Sequence, residues 1–183
     1  MNHDFKILTK ALSLRIRKVL PSIIHPNQAA YVEGRFMGDA IRVIQDIMEY
    51  TNLYNKSGML LFIDFQKAFD SVEHDFVLKT LETFNFGNNI TKWFKLINKN
   101  ACSCVINNGI SSPFFNVHRG VRQGDPLSPY IFILVIETLA NHIRNNVNIK
   151  GIKMGKNNIK IALYADDITI MLSDKQSGKM SSM

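Results

Sequence analysis

Cysteine is almost missing from the 183 residues: only Cys102 and Cys104 occur, one residue apart. Two such thiols cannot build the disulfide framework of a small secreted domain. With no second pair, they do not complete a zinc site either. Long apolar runs are missing too, since none approaches the roughly 18–20 residues needed to span a bilayer. The opening Met1-Asn2-His3-Asp4-Phe5-Lys6 has no apolar signal segment. These absences point to an intracellular protein with no membrane partner, nucleus or cytoplasm undecided. Repeats, low-complexity tracts and clear interdomain linkers are also lacking, so the chain reads as one domain.

What is present is an ordinary globular composition, 46% hydrophobic and 20% charged, long enough for one substantial core. Acids are outnumbered, 15 Asp+Glu against 22 Lys+Arg, for a net charge of +7 and a pI near 9.5. That balance favours a polyanionic partner such as nucleic acid, although a merely basic soluble protein would share it.

Phe5, Leu8, Leu12, Ile16 and Val19 recur at helical spacing, with Lys6, Lys10 and Arg17 along another face and Pro21 as the stop. A second helix follows the loop 22–38, with Met37, Ile41, Ile44 and Met48 expected to face inward. Lys56-Ser57-Gly58 breaks into a buried strand over 59–63, closed by Asp64. Asp75 reads as the N-cap of a helix carrying Val77, Leu78, Leu81 and Phe84, with Gly87 ending it. Ile90, Trp93, Phe94 and Ile97 suggest another helix. Residues 102–107 turn through Asn108-Gly109 as one arm of a hairpin whose partner lies near Phe114–His118. Ser128-Pro129 starts a helix running to about Asn145, and Lys156-Asn157-Asn158 precedes a final hairpin. This order makes an α+β fold, a mainly antiparallel sheet with helices on one face. The tail from Ser173 is expected to fray.

The chemistry concentrates in acids. Asp166 and Asp167 stand side by side between the apolar runs Ile161–Ala165 and Ile168–Leu172, and Asp64 ends the run Met59–Ile63. Carboxylates brought together in semi-apolar surroundings need a cation. No basic residue lies between Ile161 and Leu172, so a bound metal is the natural neutraliser. Phosphoryl transfer from a nucleoside triphosphate uses two Mg²⁺ ions about 3.5–4 Å apart on hard carboxylate oxygens. Asp64 and Asp166 would bridge them, with Asp167 an outer or transient ligand, if the fold unites positions about a hundred residues apart. The plainer reading is a solvated Asp-Asp turn, which the flanking strands weaken. Residues 120–129, Gly-Val-Arg-Gln-Gly-Asp-Pro-Leu-Ser-Pro, add a second signal. Two glycines let backbone approach a ligand, Arg122 can pair with phosphate, and Gln123 offers an amide to a base or sugar. Alternatively, the loop simply launches the helix at Ser128.

In order, Phe62-Ile63-Asp64-Phe65-Gln66-Lys67-Ala68-Phe69-Asp70, then Arg122-Gln123-Gly124-Asp125-Pro126-Leu127-Ser128-Pro129, then Tyr164-Ala165-Asp166-Asp167 resemble a reverse transcriptase. More narrowly, the set is similar to that of LINE-type (non-LTR) retrotransposons. Asp4–Lys10 and Ile24-His25-Pro26-Asn27-Gln28 with Gly34-Arg35 match that group as well. The resemblance implies an RNA-directed DNA polymerase acting on an RNA template, a DNA primer and dNTPs, with Mg²⁺, or Mn²⁺ in its place. It makes Asp64, Asp166 and Asp167 the catalytic metal ligands, joined by the backbone carbonyl of Phe65. Phe69 falls at the steric gate against a 2′-hydroxyl, unless it is a core aromatic or both; Gln123 and Gly124 fall beside the nascent base pair. Arg35, like Lys67, would be solvated or phosphate-facing, and Asp70 structural. The implied layout is a partial fingers segment over 1–58, the palm over 59–172 and a tail over 173–183, with thumb, fingers arginine and endonuclease expected to be absent. A fragment of this kind would be weakly active or inactive alone. The alternative is a maturase-like module that binds RNA without catalysis, using Lys6, Lys10 and Arg17 as its phosphate face.

Overall fold

The computed structural model describes residues 3–173, so all of the expected tail except Ser173 lies outside the described residues. The helices are α1 (His3–Arg17), α2 (Leu20–Ile23), α3 (Met37–Leu53), α4 (Ala68–Ser71), α5 (His74–Thr83), α6 (Asn88–Asn98) and α7 (Ser128–Asn145). The strands are β1 (Met59–Ile63), β2 (Cys102–Ser103), β3 (Ile106–Asn107), β4 (Ile110–Ser111), β5 (Phe115–Asn116), β6 (Ile152–Met154), β7 (Asn157–Ile159), β8 (Ile161–Tyr164) and β9 (Asp167–Leu172). The fold is therefore mixed α+β. No described helix is long and apolar enough to cross a membrane. The chain divides into two compact units, one of Leu14–Gln66 with the chain from Ile136 onward, the other of the chain up to Ser13 with Lys67–Val135.

The first unit is built on a three-stranded antiparallel sheet in the order β1-β9-β8. Its central strand β9 does not alternate: Ile168 through Leu172 are all buried. A continuous apolar run signals burial on both faces, so this strand is covered more fully than one-sided packing requires. Ile47 of α3, 1% exposed, packs with Ile152, Ala162 and Met171, and Val43, Ile44 and Leu60 close around them. The inward face of α3 is thus Val43-Ile44-Ile47. Met37, Ile41 and Met48 are 44%, 48% and 51% exposed, contrary to the sequence reading. Of the expected stripe Ile44 does pack inward; the helical period holds but the buried stripe is rotated, because α3 carries apolar residues on two faces. The far edge of β8 is paired as well: Ala29 N–H donates to the Leu163 carbonyl and Leu163 N–H to the Asn27 carbonyl, each at 2.9 Å.

Several local expectations shift by a few residues. Helix α1 ends at Arg17, and Pro21 sits in the first turn of α2, where a missing N–H is harmless. Lys156-Asn157-Asn158 does precede the final β8–β9 hairpin, and Asn157 and Asn158 form part of an added strand, β7, with the β6–β7 turn at Gly155 and Lys156.

A buried charge network braces this unit. Glu137, 2% exposed, accepts from Arg144 Nη2 and from the His25 backbone N–H at 3.2 Å, while its Oε2 has no partner among the described residues. Burial pushes the Glu137 carboxyl above its ordinary range, against the pull of Arg144. Burial, then Arg144, lowers the His25 imidazole, which suits the 3.2 Å bond its Nδ1 accepts from Asn27 N–H.

The second unit holds α4–α6 and two short ladders, β2 with β5 and β3 with β4. Asn108 and Gly109, at φ 49° and 80°, make the turn with two positive φ values that suits right-twisted strands. The hairpin is interrupted between its two ladders. Glu73, not Asp75, precedes α5, and Gly87 caps the start of α6, since Asn85 at φ 56° has already turned the chain out of α5. Gly120, at φ 92°, lies so close to Asp70 that a Cβ would meet its carbonyl oxygen at 3.2 Å.

Replacing Arg144 by alanine leaves the Glu137 charge buried without its partner. Urea unfolding should register a loss of about 3–5 kcal/mol, the usual result of breaking a buried pair. Because the folded pKa of Glu137 exceeds the unfolded one, its stabilising contribution is complete below the unfolded value and falls as pH rises through the folded value. Glu137→Gln should remove that slope, so unfolding measured from pH 4.5 upward should show wild type losing stability relative to the variant.

Candidate functional site

The register of β1 and β9 runs from Met59↔Leu172 to Ile63↔Ile168. One step further along an antiparallel ladder, Asp64 comes opposite Asp167, and directly opposed residues have Cα atoms about 4.5–5.5 Å apart. Asp167 in turn pairs with Tyr164 across the β8–β9 hairpin, leaving Ala165 and Asp166 as a two-residue turn. Two strands and one tight turn thus bring the three acids to a single end of the sheet, within one unit. Asp64 and Asp167 are exposed and Asp166 is half-buried. Phe62, two residues before Asp64 and on the same side of β1, is 67% exposed, so the strand is less buried than its composition suggests.

The turn itself is unusual. Ala165 is buried and sits at φ 54°, a left-handed conformation that costs a residue with a Cβ on the order of 1–2 kcal/mol. Its N–H donates to Gln28 Oε1 at 3.0 Å, and its carbonyl accepts from Gln28 Nε2 at 3.3 Å. In the sequence Gln28 stands out only as part of the segment Ile24-His25-Pro26-Asn27-Gln28. No local signal marks a contact between residues so far apart in the chain.

None of the three carboxylates accepts a hydrogen bond or meets a cation among the described residues. As a donor set, three unengaged carboxylates fit a hard oxygen-seeking ion such as Mg²⁺. Their side chains do not stand as a ready-made cluster: among the described residues, no three His, Cys, Asp or Glu are gathered so as to hold a metal. The fit therefore lies in the backbone placement and the chemistry of the oxygens.

The remaining candidates are placed as follows. Phe65 is half-buried just past β1. Phe69, Arg122, Gln123 and Gly124 lie in the other unit. There the half-buried Phe69 ring stacks on Phe132 at 4.3 Å and 12°. The Phe69 carbonyl accepts from Val121 N–H at 2.8 Å, tying that region to the 120–129 loop. Gln123 Nε2 reaches Asp70 Oδ1 at 3.5 Å, the outer limit of such a contact. Gly124, at φ 79°, faces open space.

The basic residues divide. Lys6 and Lys10 are exposed on α1. Arg17 meets Glu33 at 3.2 Å. Arg122 departs from the phosphate-facing expectation, donating to the Ile97 carbonyl at 3.2 Å with its guanidinium carbon 4.5 Å from the centre of the Phe5 ring. Arg35 departs from it too, donating to the carbonyls of Ile24, His25 and Gln28 at 2.7–2.8 Å. A planar guanidinium suits such a fan of carbonyls, and burial lowers its pKa only against the counter-pull of Glu137.

Comparison with known proteins identifies the family. Residues 1–181 match the profile of the family described as reverse transcriptase (RNA-dependent DNA polymerase). Over 95% of its length the chain is 33% identical to the transposon TX1 uncharacterized 149 kDa protein of Xenopus laevis, covering 13% of that protein. Over 90% of its length it is 26% identical to the retrovirus-related Pol polyprotein from type-2 retrotransposable element R2DM of Drosophila melanogaster, covering 15%. The chain thus spans a small part of these curated relatives. In fold it is similar to telomerase from Candida tropicalis, solved with a TWJ fragment of telomeric RNA, at a TM-score of 0.65 and 13% identity over 94% of this chain and 29% of that one. The apo telomerase gives 0.64 and 11% over 97% and 33%. The chain belongs to the reverse transcriptase (RNA-dependent DNA polymerase) family and is related to the enzymes of non-LTR retrotransposons.

Proposed function

We propose that this chain carries the nucleotidyl-transfer centre of a non-LTR retrotransposon polymerase, which adds dNTPs to a primer 3′-hydroxyl opposite an RNA template inside the cell. The observation that carries the reading is the β1–β9 register, whose last pair Ile63↔Ile168 leads at one end of the sheet into Asp64 and Asp167, with all three carboxylates unengaged among the described residues. Bound Mg²⁺ supplies positive charge against the triphosphate and makes the primer hydroxyl more acidic. Asp64 and Asp166 would hold the ions, Asp167 would act as an outer ligand, and the Phe65 carbonyl would add a further oxygen. The sheet with its three acids would form the palm over 59–172, and 1–58 would belong to the fingers.

In this reading Phe69 presents one edge to the sugar while its other face rests on Phe132, so the ring is a stiff wall. A stiff wall discriminates a 2′-hydroxyl better than a mobile one, because yielding would cost the stack. Gln123 and Gly124 line the nascent base pair. Gly124's open surroundings and left-handed backbone leave room for a substrate to approach the main chain. Lys6 and Lys10 supply phosphate contacts, whereas Arg17, Arg35 and Arg122 act on the protein itself.

On a primed RNA template with dNTPs and Mg²⁺, Asp166→Asn should lower extension by the purified chain by about 100-fold or more. Extension indifferent to that substitution would overturn the reading. RNA binding that ignores both Mg²⁺ and the Asp pair would favour the non-catalytic module. Phe69→Val should raise ribonucleotide incorporation relative to deoxyribonucleotide by roughly 10- to 200-fold, measured by competition of rNTP with dNTP. Unchanged selectivity would remove the gate assignment.

A further inference from the structure

We infer that Gln28 is a positioning residue, whose buried side-chain amide fixes the left-handed turn at Ala165 and thereby aims Asp166 and Asp167. What the two acids do rests on the polymerase reading; how they are held does not.

A residue with a Cβ persists at positive φ only where its surroundings over-determine it. Ala165 is such a residue, one position before the paired acids. The Gln28 amide addresses both of its polar groups, with Oε1 accepting from Ala165 N–H at 3.0 Å and Nε2 donating to the Ala165 carbonyl at 3.3 Å. Oε1 also accepts from Ala30 N–H at 3.0 Å. Gln28 is 1% exposed, so water does not compete for these groups, and losing one leaves a buried polar atom unsatisfied.

The amide is itself held from behind. The backbone on either side of Gln28 pairs with Leu163 in β8, two residues before Ala165. Arg35 Nη1 donates to the Gln28 carbonyl at 2.8 Å, and Asn27 Nδ2 donates to the Ile161 carbonyl at 2.9 Å. Few side chains fit this role. Asparagine is one methylene too short, leucine has no polar groups, and an ionised glutamate accepts twice but cannot donate to the Ala165 carbonyl. The turn is therefore shaped from a distance, by a side chain 137 residues away in sequence.

Site-resolved amide hydrogen exchange on the purified chain tests the clamp. In Gln28→Leu, protection of the Ala165 amide should fall by about 10-fold or more, while Ile168 and Ile170 in β9 keep theirs. Adding Ala165→Gly, which tolerates the left-handed turn unaided, should recover part of the lost extension activity in the double variant. Should Gln28→Leu fail to fold, Gln28→Glu keeps the shape and both acceptor contacts, and should still weaken the turn selectively. Ala165 protection that does not change, or that falls equally along β8 and β9, overturns the inference. Primer extension separates the two readings: with both correct, Gln28→Leu lowers kcat more than it raises the KM for dNTP. If Asp166→Asn leaves extension untouched while exchange at Ala165 behaves as described, the polymerase reading fails and the clamp stands.

Discussion

The pairing register between β1 and β9 is the constraint on which the site depends. Side chains on a strand alternate with a period of two, so a one-residue slip would send Asp64 to the opposite face from Asp167. What prevents the slip is apolar: Leu60 and Met171 are cross-strand partners that pack around the same buried Ile47 of α3, together with Ala162 of β8. Moving the register would carry these groups out of contact and bring a carboxylate toward the core. The location of the acids is thus a consequence of where the hydrophobic side chains want to be. The three acids contribute little to their own placement and sit at the end where the core stops.

A second layer of restraint comes from the segment 24–35, which carries almost no regular structure yet is densely bonded. Arg35 gathers three of its carbonyls, Glu137 accepts its His25 N–H, Arg144 reaches Asn27 Oδ1 at 3.2 Å, and Gln28 reaches the turn. A loop this well satisfied behaves as part of the scaffold. The cost is a carboxylate, Glu137, whose desolvation outweighs its pairing and lifts its pKa. Buried ionic groups of this kind are often near neutral for stability but expensive to half-remove. Here the pair fixes α7 to the segment that supports the Asp-Asp turn.

Much of this was legible in the sequence, for identifiable reasons. Ser128-Pro129 announced the start of α7, and Asn108-Gly109 announced its turn, because proline at a first helical turn and turn chemistry are local signals, although Ser128 donates to the Arg122 carbonyl rather than capping the helix. The acids stood out because they interrupt apolar runs, yet Asp64 and Asp167 are exposed, so the sequence overstated how far burial presses on them. What could not be read was anything set by tertiary contact. The phase of α3 was hidden because Met37, Ile41 and Met48 are as apolar as Val43 and Ile47, so only the sheet decides which stripe it covers. Arg35 and Arg122 looked available for phosphate because nothing local shows that carbonyls of Ile24, His25, Gln28 and Ile97 will surround them. Gln28 carried no signal beyond its membership in a matching segment, since its partners lie across the fold.

The account stands or falls on three acids from two chain regions serving one ion-binding end of the sheet. Crystals soaked in Mn²⁺ and measured at the manganese absorption edge address this directly, because anomalous scattering locates the ion without reference to activity. The account predicts a peak at about 2.0–2.3 Å from carboxylate oxygens of both Asp64 and Asp166. A peak bound only by the Asp166-Asp167 turn, with Asp64 taking no part, would contradict it.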